Sequence, residues 1–243
     1  MIGADATTWL ALWERVAPES ARRRRREFLA CSGPPGALPA ERLEVGRANA
    51  QLLRLHRSMF GRRLACWTEC PGCGTTVEID VDADELLAQD PAEPAAAMQL
   101  QIEEWDVSFR LPTEEDIDAV HGERDLSAAG NALLRRCIEG CRRGANETHA
   151  SLVPLELGAR MSARMEERDP LAILGFELRC ADCGHAWSST LEVDVVLWSR
   201  LNAWVHRLLR DVHTLAKTYG WSEHAIVEMS PGRRQFYLDL VAE

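Results

Sequence analysis

Two short runs, Cys70-Pro71-Gly72-Cys73-Gly74 and Cys180-Ala181-Asp182-Cys183-Gly184, limit the folds open to this chain more than any other feature. Each is a Cys-x-x-Cys-Gly turn, and 106 residues separate Cys73 from Cys180. A turn of this spacing aims both thiols the same way. The glycine after the second cysteine lets the backbone come close to whatever the thiols hold. Two such turns supply four thiolates, the ligand set of a closed tetrahedral zinc site. The sequence thus predicts that Cys70, Cys73, Cys180 and Cys183 bind one structural Zn2+ and clip distant parts of the chain together.

The residues that follow, Val77-Glu78-Ile79-Asp80-Val81 and Leu191-Glu192-Val193-Asp194-Val195, alternate apolar and acidic like strands. The expectation is two pseudo-repeat, zinc-ribbon-like β-hairpins sharing the metal. Two separate sites, the second completed by His185, are the next reading, and metal-free or redox thiols the last. A thioredoxin-like redox site needs a strand-to-helix junction in a βαβ unit, which neither turn has.

The remaining pattern is mainly helical, so the predicted class is α+β. Helices are expected from a Thr7 or Thr8 cap, over the Arg-rich run up to Gly33, and over the leucine-rich stretch ending at Gly61. A Pro/Ala linker near 91–97 precedes a hairpin at 98–102 and 107–111. Thr113 with Asp116 forms a capping box. Ser127 caps a helix reaching Gly144, with Leu133, Leu134, Cys137, Ile138 and Cys141 on one face. Leu157, Met161 and Met165 mark another helix, and about 196–219 the longest one. Ser222 and Ser230-Pro231 open two short terminal helices, the first stapled by Trp221 and Ile226. The segments read as 1–66 helical, 67–92 first metal turn and strand, 93–172 inserted hairpin and helices, 173–197 second metal turn, and 198–243 long helix and tail.

Composition narrows the function. With 46% apolar and 27% charged residues the chain is globular, and no window approaches the roughly 18 uncharged apolar residues of a membrane span. The start, MIGADATTWLALWERV, has no basic leader, so the expected location is the cytoplasm. In that compartment, eight cysteines read as metal ligands and core residues rather than disulfides. Cys66, Cys137 and Cys141 are assigned to the core, as are most of the tryptophans; His206 and His213 are assigned to the surface or to satisfied interior positions.

Charge is uneven: residues 1–66 hold 12 arginines and 6 acids, leaving the remainder of the net −10 chain strongly acidic. Nucleic acid could meet only the basic N-terminal part. Five consecutive arginines, Arg22 to Arg26, point all round a helix, and Arg23 and Arg25 are the candidate contacts to a protein partner. No phosphate-binding glycine loop, nucleophile elbow or His-Glu-x-x-His pair is present, so neither enzymatic activity nor a small-molecule substrate is expected.

The order of LWERV, RLHRSMFGRRL before CPGCG, VSFRLPTEEDIDAV, LLRRCI, LRCADCGHAW and the ending YGWSEHAIVEMSPGRRQFYLDLV resembles the baseplate hub assembly chaperone family of T-even-type contractile phages. The variant it resembles is the long, zinc-bearing one of extracellular contractile injection systems, the phage-tail-like particles. The resemblance implies an assembly factor or structural component working through contacts with baseplate, hub or spike proteins. It carries over Cys70, Cys73, Cys180 and Cys183 as metal ligands, and Trp221, Ser222, Pro231, Arg233, Arg234 and Tyr237 as a closing motif, of which Trp221, Arg233, Arg234 and Tyr237 are candidate partner contacts. The Arg22–Arg26 run departs from the family pattern, where an alanine- and leucine-rich helix is expected. The competing expectation is a zinc-ribbon nucleic-acid-binding or regulatory protein using the basic N-terminal segment.

Overall fold

The computed structural model describes residues 5–34, 36, 38–91 and 96–242. It mixes helices with small antiparallel sheets. Helix α1 (Ala6–Val16) is capped by Asp5, whose carboxylate accepts from the Thr8 backbone N–H at 2.8 Å. A charged acceptor thus takes the place expected of Thr7 or Thr8. Ser20 caps α2 (Ala21–Ser32), and α3 (Val45–Phe60) ends at Gly61, whose φ of +85° few other residues adopt.

The first metal turn joins β1 (Arg63–Glu69) to β2 (Thr76–Asp82), followed by α4 (Ala83–Leu87). The expected 66/67 segment boundary falls inside β1. The Pro/Ala linker and the 92/93 boundary lie mostly outside the described residues. Strands β3 (Met98–Ile102) and β4 (Trp105–Phe109) then form a hairpin two residues tighter than expected, because Glu103 takes a left-handed φ of +52° at the turn. After α5 (Glu114–Val120), α6 (Leu126–Cys137) starts from an Asp125 cap rather than Ser127.

The helix expected to run on to Gly144 stops at Cys137. Ile138–Arg143 is instead strand β5, which pairs with β4 so that Gly140 faces Ser108 and Cys141 faces Val107. A β-branched residue and a glycine weaken the helix there. A Cβ at Gly140 would stand 2.7 Å from the Ser108 hydroxyl oxygen, so the strand pairing needs that glycine. Cys137 and Cys141 are both buried, as expected, but they do not share a helical face.

The short β6 (Asn146–Glu147) ends this sheet, and α7 (Leu155–Arg168) buries Leu157, Met161 and Met165 against it. The second metal turn joins β7 (Gly175–Arg179) to β8 (Ala186–Thr190). The strand expected over Leu191–Val195 is absent, because α8 (Val193–Tyr219) starts there. Val193, Leu197, Leu201 and Val205 are all buried, and this helical period overrides a five-residue alternation. The 197/198 boundary therefore falls inside α8. Gly220 ends α8 in the left-handed region, and Ser222 and Ser230 cap α9 (Glu223–Val227) and α10 (Pro231–Ala242).

Three apolar cores form among the described residues. The first joins α1, α2 and α3 to the inner ends of the two cysteine hairpins and the first half of α8. The second lies between the inserted sheet and α7. The third packs the second half of α8 against α9 and α10, with Trp204 touching the first and third. Among the described residues, no helix is long and apolar enough to cross a membrane.

Polar contacts seat the insertion on the body. Val45 N–H donates to the Pro112 carbonyl at 3.1 Å, and Glu114 N–H to the Leu43 carbonyl at 3.0 Å. Where the chain returns, Gly46 N–H donates to the Asp169 carboxylate at 2.9 Å. The Asn49 amide donates to the Leu171 carbonyl at 2.8 Å. Inside the insertion, buried Asp116 accepts from Thr113 and pairs with Arg110 and Arg136. Burial works to raise its pKa, but the Arg110 pair and the Thr113 donors hold it at about 2.

The arginine run serves the same joint. Arg25 donates to both carboxylate oxygens of Glu114 at 2.6 and 2.9 Å, to Asp194 at 3.1 Å and to Asn49 at 2.9 Å. It thereby ties α2 to α3, α5 and α8. Arg22 and Arg26 both pair with Asp118. Arg24 donates to the Glu19 carbonyl at 2.7 Å and lies 4.6 Å over the Trp198 ring. Arg25 is therefore an internal joint and not a partner contact, which corrects the sequence expectation. Arg23, which among the described residues pairs with Glu19, keeps a 70% exposed side chain.

Arg25→Leu strands two carboxylates and should cost about 3 kcal/mol in urea unfolding, whereas Arg23→Leu should cost under about 0.5 kcal/mol. His56 is fully buried, and among the described residues neither ring nitrogen makes a hydrogen bond. Burial, aided by Arg200, lowers its pKa from 6.5 to about 4. The neutral ring is thus the folded form. Its contribution to stability is complete above pH 6.5 and is lost as pH falls from there toward about 4. His56→Leu should flatten that part of the stability profile.

Candidate metal centre

Each cysteine turn sits at the tip of its hairpin and closes with the same pair of backbone hydrogen bonds. Cys70 N–H donates to the Thr75 carbonyl at 2.9 Å and Gly74 N–H to the Cys70 carbonyl at 2.8 Å. Cys180 N–H donates to the His185 carbonyl at 2.9 Å and Gly184 N–H to the Cys180 carbonyl at 3.0 Å. Gly74 and Gly184 take φ of +76° and +72°, the left-handed conformation that such a turn requires. That conformation is their role, since a Cβ at either would meet nothing within 4 Å. The close approach expected of them belongs to Gly72 instead. A Cβ at Gly72 would lie 3.1 Å from the His185 Cβ and 3.4 Å from the Cys183 sulfur.

The turns meet face to face. Cys70, Cys73, Cys180 and Cys183 place their sulfurs within 4.8 Å of one another, with Cys70–Cys183 and Cys73–Cys180 both at 3.6 Å. Four thiolates around a tetrahedral ion at about 2.3 Å lie about 3.8 Å apart, so the set can hold a metal ion with little adjustment. The same 3.6 Å is far beyond the roughly 2.05 Å of a disulfide, and all four cysteines are free. Cys70 and Cys180 are buried while Cys73 and Cys183 face outward.

One further contact crosses the gap. The Thr75 hydroxyl donates to the Asp182 carboxylate at 2.9 Å, linking the turns through side chains that are not ligands. Contacts with the Thr75 side chain and backbone pull the Cys73 pKa down to about 6. The His185 N–H favours ionised Cys183, yet the neighbouring Cys73 and burial push that thiol up to about 12. Crowded thiols cannot all ionise alone, and a divalent cation relieves the conflict.

The other sequence candidates lie elsewhere. His185 is outside the four-sulfur set and stacks on Trp187 at 6.2 Å. Burial pushes the Cys137 thiol up to about 11, raises Cys66 and leaves both in packing roles. His206 meets Trp13 edge-on at 5.9 Å, and His213 is exposed. In the closing motif, Trp221 and Tyr237 pack 4.8 Å apart, with Arg233 5.8 Å over the Tyr237 ring. Arg234 is not an outward contact: it is 7% exposed and lies 3.3 Å from Asp211. Sequence reasoning passed over Gly72, Thr75 and Asp182, although Gly72 sits inside the motif that drew attention.

No protein-family model, curated protein or solved structure matches this chain.

Cys70→Ala and Cys183→Ala should each remove most bound metal and lower the melting temperature of the whole chain, since metal binding is coupled to folding. A clip over a loop of roughly 100 residues is worth on the order of 4 kcal/mol in unfolded-chain entropy. Cys137→Ala should leave metal content unchanged. Elemental analysis with calorimetry on the same samples reads both quantities.

Proposed function

We propose that this chain is a non-enzymatic assembly factor or structural component of the baseplate or hub of a phage-tail-like contractile injection system. It works through protein–protein contacts on a frame held by one structural Zn2+. The observation that carries the reading is the convergence of four cysteine sulfurs from two turns 106 residues apart. Four thiolates complete the coordination of zinc and leave no position for a reacting water, which makes the metal a clip. The two hairpins act as a zinc-ribbon-like pseudo-repeat. A uniform offset supports this: adding 110 to the numbers of Cys70, Cys73, Gly74 and Ala83 gives Cys180, Cys183, Gly184 and Val193, and a helix begins at each of the last pair.

Surface chemistry supports protein docking. Leu126, Leu152, Leu155, Phe236 and Leu240 are exposed apolar side chains on the inserted and terminal helices, and Trp67 is 67% exposed beside the metal turns. The resemblance of the sequence to contractile-tail assembly chaperones supplies the class of partner. The basic segment gives little support to a nucleic-acid reading, because all of Arg22 to Arg26 have partners within the chain.

Co-expression of the tagged chain with the tube, spike and baseplate proteins of its own gene neighbourhood should yield a stable complex that survives moderate salt. Recovery of the chain alone, together with submicromolar duplex DNA binding that weakens steeply with salt, would overturn the reading.

A further inference from the structure

Arg22 and Arg25 find their acids within the chain, but the second half of α8 carries cations that do not. Arg207, Arg210 and Lys217 stand on its outward side, away from the buried stripe of Leu201, Leu208 and Leu215, with His206 and His213 beside them. All five residues are exposed, and among the described residues Arg207, Arg210 and Lys217 make no ion pair. Asp211, the acid of this half, turns toward α10 and lies 3.3 Å from Arg234. A chain with 38 acidic and 28 basic residues thus gathers three permanent positive charges, unopposed, along about 15 Å of one helix.

Beside this face a groove of about 400 Å³ lies between α8 and α10. Arg207 and Arg210 line it with Gln235, and the half-buried Trp204 and buried Leu208 form its base. Cations on the wall of a groove with an aromatic base match a segment that carries both carboxylates and an apolar side chain. A duplex fits less well. Its binding proteins neutralise roughly six to ten phosphates, more than this face offers, and the acidic remainder of the chain repels a long polyanion. The charges of an acidic helix are local and recur every three or four residues along one side.

We infer that the outward face of α8 docks an acidic helix of a partner protein. Carboxylates at helical spacing pair with Arg207, Arg210 and Lys217, and an apolar side chain of the same helix enters the groove against Trp204. This rests on the reading of the chain as a protein-docking scaffold and gives the charge of its partner.

The probe is a fluorescein-labelled synthetic helical peptide with a glutamate at every third or fourth position and one leucine; its glutamine counterpart is the control. Anisotropy titration with the full chain should show binding of the glutamate peptide alone, weakening as salt rises. Arg207→Glu with Arg210→Glu should weaken binding about tenfold at an unchanged melting temperature. Lys217→Glu, further along the same face, should weaken it about threefold. Arg160→Glu with Arg164→Glu should leave it unchanged, since those exposed arginines share α7 with Glu156, Glu166 and Glu167. No binding, equal binding of the two peptides, or an equal loss in the α7 variant overturns the site. So does duplex DNA that outcompetes the peptide and loses affinity in the same α8 variant. Peptide capture without co-purifying tail proteins would sink the contractile-tail reading and leave the site standing. Tail proteins that co-purify with a chain unable to capture the acidic peptide would sink the site alone.

Discussion

Four sulfurs meeting at one point is the constraint on which this architecture depends. Two hairpins far apart in the chain present identical turns, and their tips interlock through Gly72 against His185 and Thr75 on Asp182. Their inner ends belong to the first core, through Leu64 and Val81 on one hairpin and Leu174 and Leu191 on the other. The sulfurs therefore join two arms that are already rooted in common ground. A metal at the tips fixes the angle between them, which packing at the roots does not.

Between the arms the chain makes a long excursion with a core of its own. That insertion is held by charge and backbone hydrogen bonds rather than by shared apolar packing. Arg25 is the centre of this joint, facing Glu114 and Asp194 at the starts of two helices and Asn49 on a third. A bidentate, part-buried arginine suits that position, because its planar fork satisfies several acceptors in fixed directions. The chain is thus joined at two places, where four cysteine sulfurs meet at the hairpin tips and where guanidinium groups lie beneath the insertion.

The four-cysteine cluster was legible in the sequence because two matching local motifs carry their geometry with them. So were the capping box at Thr113 and Asp116, the Ser222 and Ser230 caps, and the buried stripes of α7 and α8. The errors came where short-range pattern met longer-range packing. Alternation over Leu191–Val195 resembles a strand, but Val193 to Val205 lie on a buried helical stripe. Ile138–Arg143 continues a helical period, yet the edge of β4 needed a partner and Gly140 could lie against Ser108. The Arg22–Arg26 run shows the same limit, since the carboxylates that hold Arg22, Arg25 and Arg26 lie about ninety to one hundred and seventy residues away. No local pattern reveals that Arg25 is internal or that Arg234 is buried.

X-ray absorption at the zinc edge, with elemental analysis of the same purified full-length sample, tests the central claim most directly. The account predicts one zinc per chain in a shell of four sulfurs at about 2.3 Å. A preparation free of metal yet fully folded, or a metal shell dominated by nitrogen and oxygen, would contradict it.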